Sequence, residues 1–262
     1  MSAAGGGHAQ ARHGPPVIGR PRLHLRQTDS TNARARELAI TGAPHGTLVT
    51  AAFQTAGRGR QGRRWLAPPD SSVLASLVLR SPPPLLPLIA AVAVCDVAPA
   101  TAQIKWPNDV VIARERAPGD APGPPAFAKL AGVLIEGRPQ EDWAVVGIGL
   151  NVALGLEDLP LAARATAATL GRGPDEIEPT LAALLTALSR RLAEPREQTL
   201  AAWRGRDALD GREIAWERAG PDRPRERGRA AGIDGEGRLV VSLAGGGQTT
   251  LQAGEVHLLD GA

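Results

Sequence analysis

The chain of 262 residues has one cysteine, one methionine, no tyrosine and only 3% aromatic residues. Each shortage removes a class of function. The lone Cys95, inside the apolar run "AAVAVCDVA", excludes an internal disulfide and a cysteine metal cluster. Scarce aromatics argue against a surface that reads single-stranded nucleic acid by stacking. Charge of one sign is not in excess either. A formal net charge of +3 is too small for a globally basic binder, so any positive field must be local. No run approaches the roughly 18 apolar residues of a membrane span. The opening "MSAAGGGHAQARHGPPVIGR" lacks the apolar core of a secretory signal. A soluble cytoplasmic protein is expected, with no membrane partner. The 43% of hydrophobic residues is enough for a sizeable core.

Residues 1–20, rich in Gly, Ala, His and Pro without periodicity, read as a disordered tail. "RLHLRQTDSTNARARELA" reads as strand, turn and helix, with Ser30 or Thr31 as the N-cap. "GTLVTAAFQT" and "SSVLASLVLR" read as strands, and "PLLPLIAAVAVCDVA" as a buried helix. "AQIKWPNDVVIA" reads as two strands broken at a proline. The Pro- and Gly-crowded stretch 114–128 reads as a mobile hairpin loop. "KLAGVLIEGR" and "DWAVVGIGLNVAL" look like paired strands. Leu181, Leu184, Leu185, Leu188 and Leu192 share one face of a helix, which is expected to pack on the sheet. Beyond about Arg204 the sequence turns to short strands joined by Gly-rich turns such as "DGEG", the pattern of a small β-barrel.

"AGRGRQGRRW", Ala56–Trp65, places four arginines and three glycines between two apolar strands. It is a single cluster, not a low-complexity repeat, and neither a Walker A loop nor a trustworthy dinucleotide fingerprint. Glycines let backbone N–H groups approach a ligand, and arginines bind phosphate or carboxylate bidentately. Trp65 can close over a bound ring. Unpaired arginines repel, so the loop is expected to be loose until an anion orders it. In "KWPNDVVI", Lys105 supplies a point charge, Pro107 breaks the strand, and Asn108 and Asp109 can orient a purine, a phosphate or Mg²⁺. The bland alternative is an edge-strand bulge with solvated polar residues. Lys129 opens the apolar "KLAGVLIE", where a solvated strand end is the simpler reading. Asn151 in "GIGLNV" must be hydrogen-bonded if buried, whether to backbone or to a site.

Taken together, "DSTN", "QTAGRGRQGRRW", "KWPNDVVI", "KLAGVLIE" and "GIGLNV" resemble, in order and spacing, the biotin protein ligases (biotin–[acetyl-CoA-carboxylase] ligases). The resemblance covers about residues 22–200 and continues more weakly beyond. It implies an α+β fold, a mixed β-sheet packed with helices, over residues 21–203, followed by a small SH3-like β-barrel over 204–262. It implies ATP-dependent ligation of biotin to a lysine of a biotin carboxyl carrier domain through biotinyl-5'-AMP, with Mg²⁺. No nucleophilic side chain is needed, because the substrates supply both nucleophiles. What is needed is charge neutralisation, positioning and shielding from water.

By that resemblance, Ser30, Thr31, Asn32, Gln54, Arg58, Gly59, Arg60 and Lys129 bind biotin. Arg58, Arg60, Trp65, Lys105, Asn108 and Asn151 bind the nucleotide. Arg60, Lys105 and Lys129 are the catalytic candidates, and Asp109 the candidate metal ligand. The chain departs from the family where "SSVLASLVLR" lacks an aromatic near its start. No winged-helix domain precedes the catalytic region, so no DNA binding is expected. A homodimer is compatible with the resemblance but required by no residue. The rivals are a lipoate or octanoate ligase or transferase of the same fold, a non-catalytic RNA-binding module built on the Arg-Gly loop, and a pseudoenzyme. Octanoyl transfer through a thioester would want a catalytic cysteine, whereas Cys95 reads as core packing.

Overall fold

The computed structural model describes residues 18–114, 127–217, 225–252 and 256–258. The expected tail at 1–20 and loop at 114–128 lie outside them except at their ends. Among the described residues, twelve strands form two sheets and five α-helices pack around them. The first sheet runs in the order β1 (Arg22–Thr28), β2 (Leu48–Gln54), β3 (Ser72–Arg80), β7 (Trp143–Asn151), β6 (Phe127–Arg138), β5 (Asp109–Ala113), β4 (Ala102–Lys105). Among the described strands of this sheet β1 and β2 alone pair in parallel, because α1 (Thr31–Ile40) carries the chain between them; the other pairs are antiparallel.

Alternation along β3 and β7 divides the sheet into two faces. Val73, Ala75, Leu77 and Leu79, with Ala144, Val146, Ile148 and Leu150, enter the main core. Val78, Trp143 and Val145 face the other way, onto Ala35 and Ala39 of α1. The small alanines bring α1 close to the sheet. On the core side, α2 (Leu86–Cys95) is apolar all round and buried at every position except Pro87. Pro87 sits in its first turn, where a missing N–H costs nothing. A helix with no polar face must be covered on all sides. The sheet covers one side. The others are covered by α4 (Ile177–Ala193) and α5 (Arg196–Arg204), with the four-residue α3 (Leu161–Arg164) preceding them. The leucine stripe of α4 packs chiefly on α2, with a smaller contact to the sheet at β3, whereas the expectation had it packing on the sheet. The apolar α2 takes the place next to the strands.

The C-terminal part forms a second sheet of five antiparallel strands, in the order β11 (Gln248–Leu251), β10 (Leu239–Ser242), β9 (Arg225–Ile233), β8 (Glu213–Glu217), β12 (Val256–Leu258). Ile214, Trp216, Ala230, Leu239 and Val241 extend the main core into it. Among the described residues no helix is long and apolar enough to cross a membrane.

Two carboxylates beside the main core have opposite fates. Asp96, at the end of α2, accepts from Arg190, Arg191 and Arg206 at 2.7–2.9 Å, tying α2 to α4 and to the segment after α5. Burial alone would raise its pKa, but Arg191 and its neighbours hold it below the ordinary carboxylate value. Asp207, which bridges to Ile104 of β4, has only the Leu209 N–H on Oδ1, and its Oδ2 is buried without a partner. Burial, with the charge of Asp210 adding to it, pushes Asp207 up to about 6. Its folded state therefore holds the proton more tightly than the unfolded chain, whose pKa is about 3.9. Nothing is lost below pH ~4; stability falls as pH rises from ~4 to ~6, and the full penalty stands above that. At about 1.4 kcal/mol per unit the penalty is on the order of 2–3 kcal/mol. Asp207→Asn keeps the acceptor for Leu209 and removes the charge. Urea unfolding at pH 7.5 should show the variant about 1–3 kcal/mol more stable than wild type, with the gap closing by pH 4. Equal stability at both pH values would overturn this account.

Candidate active site

The face of the sheet not covered by α2 is only partly covered by α1, and the open remainder holds a cavity of about 110 Å³. Its floor is made by alternate residues Gly147 and Gly149 of β7 and Gly132 and Leu134 of β6. Side chains on these strands would fill the space. A Cβ on Gly147 would lie 2.0 Å from Asn32 Oδ1, and one on Gly149 would lie 2.5 Å from the indole of Trp65. The cavity is smaller than the ~300 Å³ at the lower end of small-molecule sites. Trp65 lies across its floor, with a buried Nε1 that has no partner.

One end is a network built mainly of hydroxyls and side-chain amides, with the Glu136 carboxylate behind it. Ser30, 1% exposed, caps α1 by accepting from the Ala33 N–H, so Ser30 is the N-cap and Thr31 the first helical residue. Gln54 Oε1, at the end of β2, accepts from the Thr31 N–H at 2.7 Å and from its hydroxyl at 3.1 Å. The fully buried Ser76 hydroxyl lies between Thr31 Oγ1 at 2.8 Å and Asn32 Oδ1 at 2.6 Å. Asn32 Nδ2 donates to Glu136 at 2.8 Å and to the Leu134 carbonyl at 3.4 Å. The Asn32 amide is thus held on both sides.

The other end is charged. Lys129 Nζ lies 2.6 Å from Asp109 Oδ1 and 5.7 Å from the centre of the Trp65 ring. Its placement depends on a bulge. Val110 pairs with Ala131 but Val111 pairs with Lys129, leaving Leu130 as the extra residue on β6. Leu130 turns into the core, fully buried, and Lys129 is brought to the site face. Across the β4–β5 hairpin, Asn108 Oδ1 accepts from Arg60 at 3.2 Å while its Nδ2 donates to the Val133 carbonyl at 2.8 Å.

The Arg-Gly segment is a small hairpin closed by Gly59 N–H to the Arg63 carbonyl and Trp65 N–H to the Gly57 carbonyl. Its arginines are not left unpaired, contrary to expectation. Arg58 lies 3.8 Å from Glu136, Arg60 reaches Asn108, and Arg64 donates to the Thr55 carbonyl. The sheet beneath offers enough acceptors to separate the charges.

The structure therefore gathers Ser30, Thr31, Asn32, Gln54, Arg58, Gly59, Arg60, Trp65, Asn108, Asp109 and Lys129 around one cavity. Lys105 and Asn151 stand beside it. Lys105 faces Asp109 across the hairpin register. Asn151, 4% exposed, accepts from Ser72 and donates to the carbonyls of Ala168 and Lys129, so it backs the strand that carries the lysine. Sequence reasoning missed Ser76 and Glu136. A hydroxyl inside an apolar strand and the carboxylate ending "KLAGVLIE" were the available signals. Cys95 is buried in α2, its thiol pushed up to about 12 chiefly by burial, and it does not line the cavity.

The sequence pattern of the biotin/lipoate A/B protein ligase family matches residues 24–152. A biotin–[acetyl-CoA-carboxylase] ligase of Mycobacterium tuberculosis is 34% identical over 250 residues, covering 88% of this chain and 87% of that protein. The chain belongs to the biotin protein ligase family. A bifunctional ligase/repressor of Bacillus spizizenii is 36% identical over 172 residues, and the match spans only about half, 49%, of that protein's length. Among solved structures, biotin protein ligase of Aquifex aeolicus in complex with biotin and ATP has a TM-score of 0.73 at 25% identity, covering 92% of this chain and all (100%) of that one.

The glycine floor gives a graded expectation. At Gly147 the clash is with a buried amide held on both sides. At Gly149 it is with the Trp65 ring, whose Nε1 has no hydrogen-bond partner to hold it. Gly147→Ala should cost about 1–3 kcal/mol of stability, the usual range for overpacking, and Gly149→Ala distinctly less. Paired denaturant titrations check the order; the reverse order would show that Trp65, not Asn32, is the rigid neighbour.

Proposed function

We propose that this chain joins biotin to a lysine of a biotin carboxyl carrier protein or domain, using ATP and passing through biotinyl-5'-AMP. The observation that carries this reading is the polarity of one cavity, hydroxyls and amides at one end and Lys129, Arg60, Asn108 and Asp109 at the other. A ureido ring with a carboxylate tail, joined to a nucleotide, has that polarity. Ser30, Thr31 and Gln54 receive the ureido group, with Asn32 held beneath them. The hairpin carrying Arg58, Gly59 and Arg60 folds over the carboxylate and the α-phosphate. Trp65 packs on the adenine side, and Lys105, Asn108 and Asn151 support the nucleotide.

In the first step a biotin carboxylate oxygen attacks the α-phosphorus of ATP. The bond to the β-phosphate oxygen breaks and pyrophosphate leaves. Lys129 and Arg60 stabilise the charge that gathers on the reacting oxygens, the contribution expected of preorganised cations in a water-poor site. In the second step the neutral ε-amine of the carrier lysine attacks the acyl carbon. The C–O bond to AMP breaks, AMP leaves with the electron pair, and the amine loses a proton. Asp109 supplies a single carboxylate, and no group of three potential ligands gathers among the described residues. That suits Mg²⁺ bound mainly through nucleotide phosphates and water, where it neutralises phosphate charge. The five-stranded second sheet is read as the SH3-like barrel over 204–262, after a catalytic domain over 21–203 and a tail over 1–20. ATP use and a carboxylase partner place the reaction in the cytoplasm.

The test is biotin-dependent exchange of labelled pyrophosphate into ATP with Mg²⁺. Exchange is expected with biotin and not with lipoate or octanoate; exchange with lipoate or octanoate instead would move the chain to another branch of the family. Charge-assisted hydrogen bonds are worth roughly 1.5–3 kcal/mol, so Arg60→Ala should weaken retention of the adenylate by about one to two powers of ten. Activated biotin would then label bystander lysines, read on a blot of added albumin. Unchanged carrier labelling with no bystander labelling would remove that role from Arg60.

A further inference from the structure

Trp106, the second residue of "KWPND", does not line the cavity, yet it is 2% exposed and its Nε1 donates to the Gly237 carbonyl at 3.1 Å. Gly237 belongs to the β9–β10 turn of the second sheet. That turn is rigid. Asp234 Oδ1 accepts from the N–H groups of Glu236 and Arg238 at 2.9 Å, and its Oδ2 takes Arg238 Nε at 2.6 Å. It is also wedged. Gly237 has φ +75, and a Cβ there would lie 2.9 Å from Leu85 and 3.1 Å from Leu88 at the start of α2. From the outer side Arg196 holds Gly235 and Glu236, and Arg204 donates to the Ile233 carbonyl at 3.1 Å.

Trp106 is separated from Asn108 only by Pro107, whose fixed φ leaves little slack. Asn108 is then pinned to β6 through both its side chain and its backbone, with Val133 N–H donating to the Asn108 carbonyl at 2.9 Å. Two further ties join the same regions. The backbone of Ile104 exchanges hydrogen bonds with Arg206 and Ala208, just ahead of the second sheet. The Arg212 guanidinium lies 4.9 Å over the ring of Phe127, two residues before Lys129.

We propose that the Asp234–Arg238 turn positions the nucleotide end of the site, with Trp106 as the positioning residue that transmits its placement to Asn108 and Asp109. This rests on the ligase reading above. The second sheet then acts on ATP without touching it. Biotin's ureido end, held by α1 and β2, lies outside this chain of contacts and should not respond.

The test is the pyrophosphate-exchange assay on the full chain with Trp106→Phe, which keeps an apolar ring and loses the N–H. The KM for ATP should rise about 3–10-fold while the KM for biotin stays within about twofold. Gly237→Ala approaches the same link from the side remote from any ligand and should give the same ATP-selective change; it also carries the test if Trp106→Phe does not fold. Equal rises in both KM values, or a lowered melting temperature with neither KM changed, would reduce Trp106 to core packing and overturn the proposal. Wild-type chain without biotin-dependent exchange would instead remove the ligase reading, and the positioning role with it, so the two failures are distinguishable.

Discussion

The ion pair between Lys129 and Asp109, 2.6 Å across the β5–β6 pairing, exists because β6 carries one extra residue. Without the bulge at Leu130, strict alternation would send Lys129 into the core beside α2 and Leu130 onto the site. A lone ammonium buried among apolar side chains would be expensive, and would shed its proton before accepting the position. The bulge removes that conflict at the cost of an unpaired position in the ladder. It also fixes what surrounds the lysine. The Lys129 N–H donates to the Thr166 carbonyl, and its own carbonyl accepts from Ala168, so the strand is held from a third side. Asn151 adds a contact from β7. The charged end of the cavity is thus built on backbone pairing, which is stiffer than a loop and better suited to hold a point charge in place.

The same sheet meets two opposed demands. Facing α2 it packs large apolar side chains against a helix that has no polar surface. Facing the site it needs free volume, obtained by placing Gly132, Gly147 and Gly149 where side chains would otherwise meet Asn32, Lys129 and Trp65. Glycine weakens a strand, by entropy and by absent packing. Here the loss falls on central strands, each paired on both edges, where the ladder is best able to absorb it. Stability is concentrated on one face and emptiness on the other, and alternation along β6 and β7 keeps them apart.

How much of this was legible follows from the range of each signal. Strand and helix positions came through where periodicity is local, as in "SSVLASLVLR" and the leucines of α4. The residues of the cavity came through because motifs far apart in the chain resemble one family in order. What was not legible depends on partners that sequence spacing does not name. The stripe on α4 says that one face is buried, not that α2 rather than the sheet buries it. Asn151 reads as a polar residue in need of bonds, and only the fold shows that it spends them on Ser72 and two carbonyls. Glu136 and Ser76 were overlooked because a carboxylate at a strand end and a serine in a strand are ordinary. Their importance comes from meeting Asn32, which lies on the far side of the sheet in sequence terms.

The arginines of the hairpin show how pairing and readiness to bind coexist. Arg58 and Glu136 stand 3.8 Å apart, with 47% and 29% of their side chains exposed. An ion pair of that separation and exposure is worth at most about 1 kcal/mol. Arg64 is satisfied by a neutral carbonyl in an exposed position. A carboxylate or phosphate delivered between these groups offers charge-assisted bonds of roughly 1.5–3 kcal/mol each, in bidentate geometry. The exchange is downhill for the hairpin even though no arginine starts without a partner. Mutual repulsion is relieved by weak partners in the free protein, and a bound anion of the kind proposed would offer stronger ones. On the ligase reading proposed above, that ordering of strengths, rather than an empty positive field, is what would let a hairpin closed on the sheet reorganise around an anion.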